Sequence, residues 1–169
     1  VDAIQDLGQR TTGEFSILRL EEIIGSFSKL YEPIFKNEAV YFIKEIPQNL
    51  PLVRGVKTEL MQILVIFSNN ALHALLGTQE RQKKIKLRVE IVNSEWVRIS
   101  FSDNGYGIAK EKLQTIFAPF VTTKASTEGT GMGLYNAKKI IDRHKGKIWA
   151  ESEGEGKGAT FFVELPIAK

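Results

Sequence analysis

The sequence predicts an α/β fold, with helices packed on one face of a mixed sheet. Three observations predict it. Residues 58–76 form a long run of helical periodicity that stops at Gly77. Two runs, 85–92 and 96–102, are joined at hairpin spacing by Asn93-Ser94-Glu95. A helix followed by two more strands then closes the chain. A sheet with its helices on one side is the layer arrangement that buries both.

Taken in order, residues 1–7 read as the end of a helix and 8–13 (GQRTTG) as a linker. Residues 15–20 alternate as a short strand. Residues 21–37 have helical periodicity, with Pro33 expected to bend or break the helix. Residues 40–46 read as a strand, and Pro47 and Pro51 mark the loop after it. The long helix and the hairpin come next. Residues 110–116 read as a short helix, 119–130 as a loop rich in Thr, Ser, Lys and Gly, and 133–144 as a helix. Residues 147–152 and 160–165 are closing strands around Gly154-Glu155-Gly156-Lys157-Gly158. There is no internal repeat. The expected division is 1–13, a helix end with its linker, and 14–169, one domain.

Composition narrows the chemistry. The chain has 169 residues, 43% hydrophobic and 25% charged, as a domain with a real core requires. Its 23 basic and 20 acidic residues nearly balance at +3, which argues against a nucleic-acid partner. With no cysteine there is no disulfide or thiolate chemistry, and two histidines cannot build a His-rich metal cluster. No apolar run is long enough to span a bilayer, and no signal peptide is visible.

Four stretches carry chemistry. On the long helix, Glu59, Gln62, Ile66, Asn69, Asn70 and His73 share one arc of roughly 100°. That arc is either a solvent-facing stripe or the wall of a polar pocket. In a pocket, an Asn oxygen is a hard, neutral ligand for Mg²⁺. Asp103 leads Asp103-Asn104-Gly105-Tyr106-Gly107-Ile108 at a strand end. It is either a turn aspartate or a buried acceptor for the exocyclic amine of adenine, with Gly105 and Gly107 admitting a ligand close to the backbone. Gly129-Thr130-Gly131-Met132-Gly133-Leu134 enters a helix whose free amides suit phosphate oxygens. In the loop before it, Thr122, Thr123 and Lys124 are candidates, Lys124 as a phosphate clamp or as a solvated loop lysine. Thr160 offers either a hydroxyl beside Asp103 or simple strand propensity. His144 reads as structural, a basic group at a helix C-terminus.

These stretches together resemble the catalytic ATP-binding domain of sensor histidine kinases, of the GHKL (Bergerat-fold) superfamily. Gln62-Ile63-Leu64-Val65-Ile66-Phe67-Ser68-Asn69-Asn70-Ala71 is similar to the N box. Residues 103–108 are similar to the G1 box, Ile116-Phe117-Ala118-Pro119-Phe120-Val121-Thr122-Thr123-Lys124 to the F box, and 129–134 to the G2 box. Gly158-Ala159-Thr160-Phe161 with Leu165-Pro166 resembles the closing strand. The resemblance covers residues 15–166.

The resemblance implies a two-layer α/β sandwich that binds ATP with Mg²⁺. It places Asn70 on the metal and Asp103 on adenine. It makes residues 117–129 a mobile lid, and sets His73 where relatives carry a phosphate-contacting base. It implies transfer of the γ-phosphate to a histidine on a separate dimerisation and phosphoacceptor domain, then relay to a response regulator receiver domain. The isolated domain is expected to be a cytoplasmic monomer within a homodimeric parent, whose membrane anchoring stays open. Residues 1–7 are expected to be the last turn of the phosphoacceptor hairpin. Two departures stand out. Ile66 replaces the Asn frequent in histidine kinases and the Glu of the ATPase branches and serine kinases, which argues against a hydrolase and keeps a degenerate nucleotide-binding scaffold as a rival. No acceptor helix is present, so no catalytic residue is assigned within this chain.

Overall fold

Alternation along the strands sets the layers. Ile85, Leu87 and Val89, then Val97, Ile99 and Phe101, then Phe161, Val163 and Leu165 are all buried. Successive side chains point to opposite faces, so these line one side of the sheet. The computed structural model describes residues 13–78, 81–120 and 132–169. Its elements are β1 (Ser16–Arg19), α1 (Leu20–Asn37), β2 (Val40–Glu45), β3 (Leu52–Gly55), α2 (Lys57–Ala74), β4 (Lys83–Ile91), β5 (Trp96–Asp103), α3 (Gly133–Arg143), β6 (Lys147–Glu151) and β7 (Ala159–Pro166).

The main sheet has the order β2-β4-β5-β7-β6, and β1 and β3 form a separate two-stranded ribbon. The β2–β4 pair is parallel and the other pairs are antiparallel, so the sheet is mixed as expected. The three helices cover its apolar face. Phe67 of α2 packs on Phe101 at 6.2 Å and Phe161 at 5.3 Å, while Phe27 of α1 meets Phe101 at 6.3 Å. The opposite face carries Arg98, Ser100, Ser102, Thr160 and Phe162. Among the described residues, no helix is long and apolar enough to cross a membrane.

Three expectations about elements need correction. Helix α1 runs unbroken through Pro33. Tyr31 and Phe35, on either side of it, pack on Phe27 at 5.1 and 6.5 Å, and this packing outweighs the lost backbone bond. Residues 52–55, read as loop, form β3, whose partner β1 lies more than thirty positions earlier in the chain. Four residues are too few to show a period. Residues 110–116 form a single 3-10 turn, Lys110–Lys112, followed by further turns rather than a helix. Boundaries elsewhere shift by one to two residues, as helix and strand ends do.

Candidate functional site

Helix α2 brings its polar arc against two other elements. At its C-terminal end the 103–108 turn docks on it. The Tyr106 N–H donates to the Ala74 carbonyl at 2.9 Å, and the Tyr106 hydroxyl lies 3.3 Å from His73 Nδ1. One turn back along α2 lies Asn70, and a further turn back Ile66. Ile66 reaches the first residue of α3, since a Cβ on Gly133 would sit 3.5 Å from Ile66 Cγ2. One cleft is therefore bounded by the Asp103 turn, by the Asn70 and His73 face of α2, and by the N-terminus of α3.

The arc is neither wholly solvent-facing nor wholly pocket. Glu59 is buried and ion-paired to Arg143 at 2.9 Å, far from the cleft. Asn69 is exposed and accepts a bond from the Tyr31 hydroxyl at 3.1 Å. Asn70 is half-buried, and its Nδ2 is buried with no hydrogen-bond partner among the described residues. Rotation about χ2 exchanges the two ends of the amide, so the same side chain can present Oδ1 to a hard cation. An orphaned amide in a polar cleft fits Mg²⁺ with phosphate oxygens at this position.

Asp103 ends β5. The Gly105 N–H donates to its Oδ1 at 2.8 Å, and the Ala159 amide also bonds the carboxylate. Both bonds favour the ionised form. Burial outweighs them and pushes the carboxyl up from 3.8 to about 6. An added donor such as the amine of adenine would help hold it ionised.

The fold supplies its own reason for these glycines. A Cβ on Gly105 would lie 2.3 Å from the Ala74 carbonyl oxygen, and one on Gly107 would lie 2.1 Å from that of Gly154. Gly107 also has φ +75. The turn needs glycine to fit neighbouring protein backbone, before any ligand is considered.

Thr160 does not stand beside Asp103. It pairs in register with Ser102, and its hydroxyl lies 2.9 Å from the Ser102 hydroxyl on the helix-free face. The partner of Asp103 in the ladder is Ala159, which sequence reasoning passed over. Ile108 is buried, and Leu134 packs against the core. Met132 caps α3 through its backbone alone, with no side-chain bond to the first-turn amides. Thr122, Thr123, Lys124, Gly129, Thr130 and Gly131, and with them the expected lid, lie outside the described residues.

His144 is structural, but not as a cation on a helix end. It is buried, its Nε2 accepts the Val56 N–H at 3.0 Å, and its Nδ1 donates to the Ile140 carbonyl at 2.8 Å. That pattern is a neutral imidazole. Sequence reasoning also missed Ser152 and Arg81, which bond the Asp103 turn from outside the cleft. The Ser152-x-Gly154-x-Gly156 spacing was the signal available for the first.

Comparison with known proteins places this geometry. Residues 55–169 match the family model described as "Histidine kinase-, DNA gyrase B-, and HSP90-like ATPase". The chain is 39% identical over 120 residues to Cyanobacterial phytochrome A of Nostoc sp., covering 70% of this chain and 15% of that protein. It is 38% identical over 120 residues to Sensor histidine kinase ZraS of Salmonella typhimurium, covering 71% of this chain and 24% of that protein. The chain thus spans less than a quarter of the length of these two relatives. The solved catalytic domain of histidine kinase ThkA superposes with a TM-score of 0.79 at 33% identity, covering 93% of this chain and all of that one. ThkA in complex with response regulator protein TrrA superposes at 0.73 with 27% identity, covering 98% of this chain and 46% of that one.

Proposed function

Because the chain belongs to the histidine kinase-, DNA gyrase B- and HSP90-like ATPase family, we propose that it is the ATP-binding catalytic domain of a sensor histidine kinase. The observation that carries the reading is Asp103: a carboxylate held by backbone amides in a half-buried turn, at the mouth of a cleft walled by Asn70.

Each group has a task. The ionised Asp103 accepts the exocyclic amine of adenine and selects against guanine, whose carbonyl offers no donor there. The α3 N-terminus, with Thr130, Gly131 and Met132, receives phosphate oxygens, and Lys124 with Thr122 and Thr123 adds charge and hydroxyls. Asn70 would hold Mg²⁺, which would shield the phosphate charge when bound. His73, next to Tyr106, lies between Asn70 and the Asp103 turn and is the basic group offered to the phosphates. Transfer then needs position more than covalent chemistry. An imidazole nitrogen on a separate helical phosphoacceptor domain attacks the γ-phosphorus as the bond to the ADP oxygen breaks. No general base is assigned in this chain. Ile66, an aliphatic side chain packed on Gly133, supplies no carboxylate for water, which disfavours a hydrolase. By the same reading the phosphate passes on to a response regulator, the domain resides in the cytoplasm, and the parent is a homodimer.

The test is phosphotransfer in trans. With labelled Mg·ATP the chain alone should stay unlabelled. Adding the parent's phosphoacceptor hairpin should produce acid-labile label on the hairpin. Stable label on His73 or His144 would overturn the assignment.

A further inference from the structure

Ser152 ends up between two turns. Its hydroxyl accepts the Ile108 N–H at 3.0 Å and the Gly154 N–H at 3.2 Å, and donates to the Gly158 carbonyl at 2.6 Å. One proton and two lone pairs are thereby all in use. The rest of the 152–158 turn holds the same partner. Gly158 N–H donates to the Gly105 carbonyl at 3.1 Å, and Gly156 N–H to the Tyr106 carbonyl at 2.6 Å. Arg81 Nη2 reaches both turns from outside, 3.2 Å from the Gly105 carbonyl and 3.2 Å from that of Gly156.

The Asp103 turn is thus held on one side by Ala74 of α2 and on the other by the 152–158 turn and Arg81. We propose that the β6–β7 turn is a clamp for the adenine end of the site, with Ser152 and Arg81 as positioning residues for nucleotide binding. The inference rests on the adenine reading of Asp103. Its physical content is a chain of two steps. Ser152 pins the buried Ile108 amide at one end of the turn. The turn in turn presents the Gly105 N–H that sets the Asp103 carboxylate at 2.8 Å. Without the hydroxyl, the Ile108 N–H loses the acceptor it has among the described residues, and the turn gains a reason to shift. A misplacement of the order of 1 Å at a binding carboxylate is enough to cost affinity.

The experiment measures adenosine and ATP binding by calorimetry with the full chain. Ser152→Ala should weaken both by the same factor, roughly tenfold, because the defect lies at the base end. Ser152→Thr, which restores the hydroxyl, should stay within about threefold of the parent sequence. Glu155→Ala, an exposed residue of the same turn, should change nothing. Amide exchange at Gly105 and Ile108 should speed up in Ser152→Ala without any ligand present. If Ser152→Ala does not fold, Arg81→Met decides, since it removes both bonds through an exposed side chain, with an expected loss of about threefold for adenosine. Unchanged adenosine affinity in Ser152→Ala or, should that variant not fold, in Arg81→Met overturns the clamp, whatever happens to the melting temperature. If the parent sequence itself binds no adenine compound, the reading of Asp103 falls, and the clamp with it.

Discussion

The Tyr31 hydroxyl donates to Asn69 Oδ1 at 3.1 Å, tying α1 to α2 on the solvent side of the helical layer. This contact separates two adjacent asparagines. Asn69 is occupied away from the cleft, and Asn70 is left with a buried Nδ2 that lacks a partner among the described residues. Asn70→Ala should therefore weaken Mg²⁺-dependent ATP binding by roughly 1–3 kcal/mol and abolish transfer to the hairpin. Asn69→Ala removes one neutral exposed bond and should cost about 0.5–1 kcal/mol of stability with binding unchanged. The comparison is transfer rate at saturating Mg·ATP, and a dead Asn69→Ala with a live Asn70→Ala would refute the metal assignment.

Asp103 predicts a pH dependence of stability. Its carboxyl titrates near 3.8 when unfolded and is pushed up to about 6 by burial in the fold. A raised folded value means the protonated form is the better tolerated one. That contribution is complete below about pH 4 and is lost as pH rises through 6. The ligand-free chain should lose up to roughly 2–3 kcal/mol across this window from Asp103 alone. Urea unfolding of the parent sequence and Asp103→Asn, measured from pH 4 to 7, should differ in slope there; parallel curves would show that Asp103 is not the titrating group.

The same carboxylate sets base selectivity. ATP and ADP should bind far more tightly than GTP, and Asp103→Ala should cost roughly 1–3 kcal/mol in ATP affinity. Near pH 5 the amine of adenine should favour the ionised form, so binding should release a proton. Calorimetry in two buffers of different ionisation heat reads that proton. Equal apparent enthalpies at pH 5 would argue against an amine on Asp103.

His144 predicts a stability effect separate from function. Removing the ring at His144→Ala strands the Val56 N–H and opens a cavity beside Gly55, whose added Cβ would sit 2.6 Å from the His144 ring. The expected loss is about 2–4 kcal/mol in denaturant unfolding. ATP affinity of the folded fraction should not move, and a specific loss of ATP binding would assign His144 to the site.

Ile66 predicts a gain. Ile66→Glu would set a carboxylate one turn from Asn70 and against the N-terminus of α3, where the dipole favours it. Slow ATP hydrolysis should rise. Phosphate release no faster than in the parent sequence would mean that the absent carboxylate is not what limits water attack.

The sequence by itself determined the layer architecture, because its long helix and its hairpin each show their period over many residues. It also pointed to the family through the order of Asn70, Asp103 and the Gly-rich stretches, and to a structural His144. What it could not settle were questions of direction and distance. The arc on α2 looked uniform, yet Tyr31 claims Asn69 and Arg143 claims Glu59. Thr160 follows Ala159 by one residue, and in a strand one residue is the difference between two faces. Strand β3, the continuity of α1 through Pro33, and the fit of Gly105 against Ala74 all depend on partners distant in the chain. Local pattern records which side chains share a face. Only packing between remote segments decides what that face meets, and it is there that the Asp103 turn acquires its position.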